Sequence, residues 1–186
     1  MEKETELTTE KKVDQQEKKW TEKINVLVAA TTLLFAVCAT LASFKAAGYG
    51  NQVVLAQNQA SNLWAYYQAK SIKETLYKQQ TEVLEIVQAA AEKEKVEKLL
   101  ENYKKEVTRY DQEQKDIFNQ AKELEKKRDF AQELNAGFGQ SLIFLQLGIL
   151  LSSMAAISKY LYYWYVGLLL GSGGMIVFIM TFIKTL

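Results

Sequence analysis

Proline and histidine are absent from this chain of 186 residues, cysteine occurs once, and arginine is confined to Arg109 and Arg128. Without proline, no helix interior is interrupted by a missing amide donor. Without histidine, and with Cys38 the only thiol, zinc, haem and iron-sulfur centres of the usual kinds have no ligand set. No metal or cofactor is therefore expected. One cysteine makes no internal disulfide, so the sequence bears no mark of redox compartment. Serine-hydrolase, Cys-His and phosphate-loop arrangements are missing too. An active site would have to be assembled from carboxylates, tyrosines and lysines alone, so the chain is not expected to be an enzyme. With 23 Lys+Arg against 22 Asp+Glu and no basic face, it has no electrostatic footprint for nucleic acid.

Glycine is scarce in a patterned way. All 9 glycines lie in or beside hydrophobic segments, and none occurs from residue 51 to residue 136. With both strong helix breakers missing, that stretch reads as long helix.

What is present is sharply segregated. The overall 48% hydrophobic and 24% charged residues conceal three runs almost free of charge. The first, residues 24–44, is closed by Lys23 and Lys45 and matches the roughly 20 residues that span a hydrocarbon core of about 30 Å. Residues 140–157 and 161–183 form the second and third, separated by Ser158, Lys159 and Tyr160. The fold class expected is all-α: an integral membrane protein with three transmembrane helices and a long antiparallel, coiled-coil-like hairpin between the first and second. The charged tail ahead of the first run, and the length of that run, argue against a cleaved signal peptide. Val37 before Cys38 argues against a lipoprotein site.

Residues 1–23 mix lysine and glutamate with few apolar side chains and are expected to be mostly disordered. Lys12, Lys18, Lys19 and Lys23, together with Lys159, place one side of the bilayer in the cytoplasm. The N-terminus is then cytoplasmic and residues 45–139 face outward. Trp20 and the Tyr160 to Tyr165 band suit the headgroup level.

A segment joining consecutive spans must return to the face it left, so the long helix has to fold back. Two arms of about 43 residues would each reach roughly 65 Å at 1.5 Å per residue. Gly48-Tyr49-Gly50 and Gly137-Phe138-Gly139 bracket the segment, which suggests flexible backbone at both junctions. The descending arm carries a heptad seam, Val96, Leu100, Tyr103, Val107, Tyr110, Gln114, Ile117, Ala121, Leu124, Arg128, Ala131, Asn135 and Phe138. The ascending arm keeps the same rhythm through Asn51, Leu55, Asn58, Asn62, Ala65, Ala69, Ile72, Leu76, Gln79, Val83, Ile86 and Ala90. A second stripe on that arm, Leu63, Tyr66, Tyr77, Leu84 and Val87, would be left for contacts between subunits. Equal arm lengths and the rise in charge density put the turn near Ala90 to Lys95.

The block most apt to carry function runs from Asn58 to Glu74. Its candidate residues are Asn58, Ser61, Asn62, Leu63, Trp64, Tyr66, Tyr67 and Lys70. They suit either a helix interface whose amides and hydroxyls satisfy one another and fix register, or a polar groove for a ligand near the membrane. Within the apolar runs, Gly167, Gly171 and Gly174 permit close backbone approach, and the lone amide of Gln146 is expected to bond across helices.

The string WAYYQAKSIKE, Trp64 to Glu74, follows one span and precedes a charged helix and two closing spans. In this it resembles the bacterial membrane family called domain of unknown function 4337. The resemblance implies a bacterial inner-membrane protein and supplies no catalytic residue. The function expected is non-enzymatic: a hairpin that mediates homo-oligomerisation and serves as a scaffold or interaction module. The alternative is an oligomeric channel or transport component whose polar lumen is lined by the Asn- and Gln-rich arm. The partners expected are the lipid bilayer, further copies of the chain and, as a second kind of partner, another envelope protein.

Overall fold

The computed structural model describes the backbone of residues 2–87 and 93–186, and side chains for residues 24–86 and 94–186. Among the described residues the regular structure is helical throughout: α1, Glu2–Val87; α2, Lys93–Ser158; α3, Leu161–Ile183. All three helices are long and apolar enough to cross a membrane. Each contains one of the three apolar runs.

The tail departs from expectation, because residues 2–23 form the opening turns of α1. A sequence rich in Lys, Glu and Gln cannot bury a core, but a helix needs none to close its own backbone hydrogen bonds. Gly48, Gly50, Gly137 and Gly139 are helical as well, so the flexible junctions expected there are not found. The aromatics between those glycines stack on each other, Tyr49 on Phe138, with ring centroids 5.9 Å and planes 3° apart. Of the turn expected between Ala90 and Lys95, residues 90–92 lie outside the described residues, and Lys93 to Lys95 already belong to α2.

The chain forms two compact units, residues 1–49 with 133–186, and residues 50–132. In the first, α1, α2 and α3 each contribute one segment. Phe35, Ala39 and Leu145 are its buried apolar cluster, with Cys38, Leu142, Ile149, Leu168 and Met175 packed against it. Small residues let α2 and α3 approach. A Cβ added at Gly148 would lie 2.8 Å from the Gly171 Cα, and one at Gly174 would lie 2.9 Å from the Leu145 backbone nitrogen. The Phe35 ring occupies the space that a side chain at Gly171 would need. Polar contacts tie the segments at their ends: Asn135 Nδ2 donates to the Ala46 carbonyl at 2.6 Å, Trp164 Nε1 donates to Thr31 Oγ1 at 3.2 Å, and Lys184 pairs with Glu133 at 2.5 Å. Between α2 and α3, Lys159 has φ 60°, and its amide donates to the Ala155 carbonyl at 3.0 Å. This is a left-handed C-terminal cap at a position where glycine is usual.

In the second unit, contacts between α1 and α2 run in opposite chain directions. Gln57 accepts from Arg128 at 2.8 Å, Trp64 donates to Glu125 at 2.9 Å, Lys70 pairs with Glu113 at 2.5 Å, and Glu85 pairs with Lys104 at 2.8 Å. Every position of the α2 series from Val96 to Phe138 is buried or half-buried.

The glycine contacts of the first unit make a paired prediction. Gly148→Ala drives a methyl into the α3 backbone and should destabilise the protein by about 1–3 kcal/mol. Gly173 has nothing within 4 Å of an added Cβ, so Gly173→Ala should leave stability unchanged or raise it by up to about 1 kcal/mol through helix propensity. Thermal unfolding in mild detergent compares the two, and equal responses would contradict the packing described.

Candidate functional site

The α1 segment of the second unit has two heptad faces, and α2 covers only one of them. The covered face is Val53, Ala56, Ala60, Leu63, Tyr67, Lys70, Glu74, Tyr77, Thr81 and Leu84, each buried or half-buried. The stripe expected to meet the descending arm, from Leu55 through Asn58, Asn62, Ala65, Ala69, Ile72, Leu76, Gln79 and Val83 to Ile86, is exposed at every position. Ile72 is 62% and Ile86 79% exposed. The faces are thus reversed from the sequence expectation for Leu63, Tyr77 and Leu84 of the second stripe, while Tyr66 is exposed and the Val87 side chain lies outside the described residues. Side-chain size is the reason. Aromatic residues bury about 150–250 Å² each, and Trp64, Tyr67 and Tyr77 lie on or beside the covered face, whereas Ala65 and Ala69 offer little area.

The candidate residues divide accordingly. Leu63, Trp64, Tyr67 and Lys70 turn toward α2, while Asn58, Ser61, Asn62 and Tyr66 are exposed. Ser61 accepts from Gln57 at 3.2 Å on the same helix. On the covered side the aromatic block closes around ion pairs. Trp64 stands edge-on to Tyr67 and to Phe118, with centroids 5.6 and 5.5 Å apart. Lys122 lies 5.5 Å from the Trp64 ring centroid and donates to Glu125 at 2.8 Å. One step along, the Lys70 ammonium sits between the Tyr66 and Tyr110 rings, 5.1 and 5.0 Å from their centroids, and against Glu113. Next, Tyr77 stacks on Tyr110 at 5.7 Å, and buried Gln114 donates to Glu74, which also pairs with Lys78 at 2.5 Å.

These pairs hold charge in place. The Glu113 carboxylate, followed by the Tyr66 hydroxyl, raises Lys70 above its ordinary value. The Lys70 ammonium in turn holds Glu113 low, and Lys122 followed by the Trp64 N–H holds Glu125 low. Among the described residues no group of three or more Cys, Asp or Glu is placed to hold a metal ion. A groove of about 330 Å³ opens along Leu76, Gln79, Gln80, Val83, Leu84 and Tyr103, three of which belong to the exposed stripe.

In the first unit Gly167, Gly171 and Gly174 are buried at helix contacts. Gln146 is exposed instead of bonding across helices. Leu145, Gly148 and fully buried Ser152 take the inward face of α2, and the close approach at Gly148 leaves no space for a long amide. Gly148 was not among the candidates, although Gly148 and Ser152 repeat the four-residue spacing of Gly167 and Gly171. Glu125, Lys122 and Glu113 gave no sequence signal, being three among many charges on α2. Tyr110 and Gln114 were visible only as seam positions.

A family model described as domain of unknown function (DUF4337) matches residues 24–184. The chain belongs to this family. The match takes in all three apolar runs and the whole second unit, so DUF4337 membership covers both the glycine contacts and the aromatic ion-pair cluster. No curated protein and no solved structure matches the chain.

The charge pairs set a pH dependence. Glu113 and Glu125 titrate below their ordinary 4.5 in the folded chain, so their contribution is present above that value and is lost as pH falls through the lowered ones. Lys70 titrates above 10.5, so its contribution is whole below that value and is lost as pH rises past it. Stability of the second unit should be flat between about pH 5 and about pH 10 and fall on either side. Helical circular dichroism against pH measures it, and Glu113→Gln with Glu125→Gln should make the acid limb shallower, leaving the part due to Glu101 and Glu123, which Lys105 and Lys126 hold low.

Proposed function

We propose that the protein is a non-enzymatic integral protein of the bacterial inner membrane, crossing it three times, with an antiparallel hairpin that gathers copies of the chain into a scaffold or interaction module. The observation that carries this reading is the exposed stripe of α1 from Leu55 to Ile86, a heptad face left bare by a partner helix that covers only the opposite side. Burying each large apolar residue of such a face yields roughly 1.5–3 kcal/mol. Residues 24–44, 140–157 and 161–183 are the crossings, with the N-terminus cytoplasmic and the hairpin on the periplasmic face. The lysine distribution supports that direction. Fixed ion pairs in the aromatic cluster suit a structural joint better than proton transfer or nucleophilic chemistry, which call for groups tuned toward neutral pH. A second reading, an oligomeric channel, draws on the exposed amides Asn58, Asn62 and Gln79 on the same stripe. Conductance across planar bilayers would favour it.

The test is the number of subunits in mild detergent. The wild type should contain several copies, and Ile72→Asp with Leu76→Asp should yield monomers of unchanged helix content. A monomeric wild type would remove the proposal.

A further inference from the structure

The geometry points to a specific assembly: copies of the chain join through the exposed stripe of α1 in parallel and in register, three or four to a bundle rather than two. This rests on the reading above that the chain self-associates.

The stripe alternates steps of three and four without slippage, the repeat that packs against another helix of the same repeat. Its flanks identify that helix. On one side stand Tyr66, Lys73 and Gln80, and on the other Gln68, Thr75 and Glu82. A highly charged helix such as α2 would find almost no counter-charge there, whereas α1 is itself charge-poor. In a parallel arrangement the flanking position of one helix meets that five residues on in the next, which sets Gln68 beside Lys73 and Thr75 beside Gln80. No like charges meet.

Insertion into a bilayer gives every copy the same direction, so neighbouring α1 helices run parallel. The amides then fix the register. In register, Asn58, Asn62 and Gln79 each face their own counterparts and can exchange hydrogen bonds. A slip of one heptad sets Asn62 against Ala69 and leaves the buried amide without a hydrogen-bond partner, which disfavours the slipped register.

The number follows from side-chain branching. With Asn62, Leu76 and Val83 at the a positions of the heptad, Ile72, Gln79 and Ile86 fall at d. Leucine at d favours two strands, while isoleucine at d, with leucine or a β-branched residue at a, favours three or four.

The experiment uses the full chain with Cys38→Ser and single cysteines introduced as Ala65→Cys, Ala69→Cys or, facing α2, Leu63→Cys. Copper-phenanthroline oxidation in native membranes should cross-link copies through positions 65 and 69 and not through 63. Native mass spectrometry of the wild type should count three or four chains, and Ile72→Leu with Ile86→Leu should shift the count toward two. A multi-chain wild type without cross-links at 65 and 69 would overturn the parallel register while sparing self-association. A wild type of two chains would overturn the number. A wild type of one chain would remove the reading on which the inference stands.

Discussion

The second unit depends on an inequality: α2 has one face able to bury against a neighbour and α1 has two. A single seam can cover one of them. The aromatic face wins because Trp64, Tyr67 and Tyr77 interlock with Phe118, Tyr103 and Tyr110. Lys70 and Glu74 join them because Glu113 and Gln114 are there to receive them. Burying an ion pair is costly unless each charge finds its partner, so the complementary polar groups do less to drive the contact than to make it specific. Everything proposed about assembly follows from the face that loses.

The α2 seam was legible residue by residue because lysine and glutamate dominate the other directions around that helix, leaving one unbroken row for burial; Phe118, off that row, gave no periodic signal although it packs on Trp64. The α1 faces were legible as a pair, but not which would be covered. With few charges on either side, hydrophobic periodicity is nearly degenerate, and the choice falls to shape. The row through Leu76, Val83 and Ile86 also carries Ala65 and Ala69, whose small side chains give α2 less area to bury than the aromatic row does. Partners such as Glu125 could not be anticipated, since nothing in a mixed-charge helix distinguishes the glutamate that meets an indole N–H from those that meet water.

In the first unit the three apolar runs were plain from length and composition, and the glycines of α3 were plain from spacing. The contact line on α2 was less legible, because a lone amide such as Gln146 stands out in an apolar run whereas the single glycine at 148 does not. Small residues on both helices, not a polar bond, bring the backbones together. Dispersion contacts dominate where two helices approach this closely. The same closeness makes room for the Phe35 ring, so an aromatic from α1 completes what two glycine-bearing helices began.

At Lys159 two demands pull against each other. Its left-handed backbone costs roughly 1 kcal/mol or more for a residue with a Cβ, and glycine would relax it. Yet this residue is also the sole cation between the last two apolar runs. Under the membrane topology proposed above, local conformational ease and the positive charge that would orient the last two helices are set in opposition at this one position, and the backbone carries the strain.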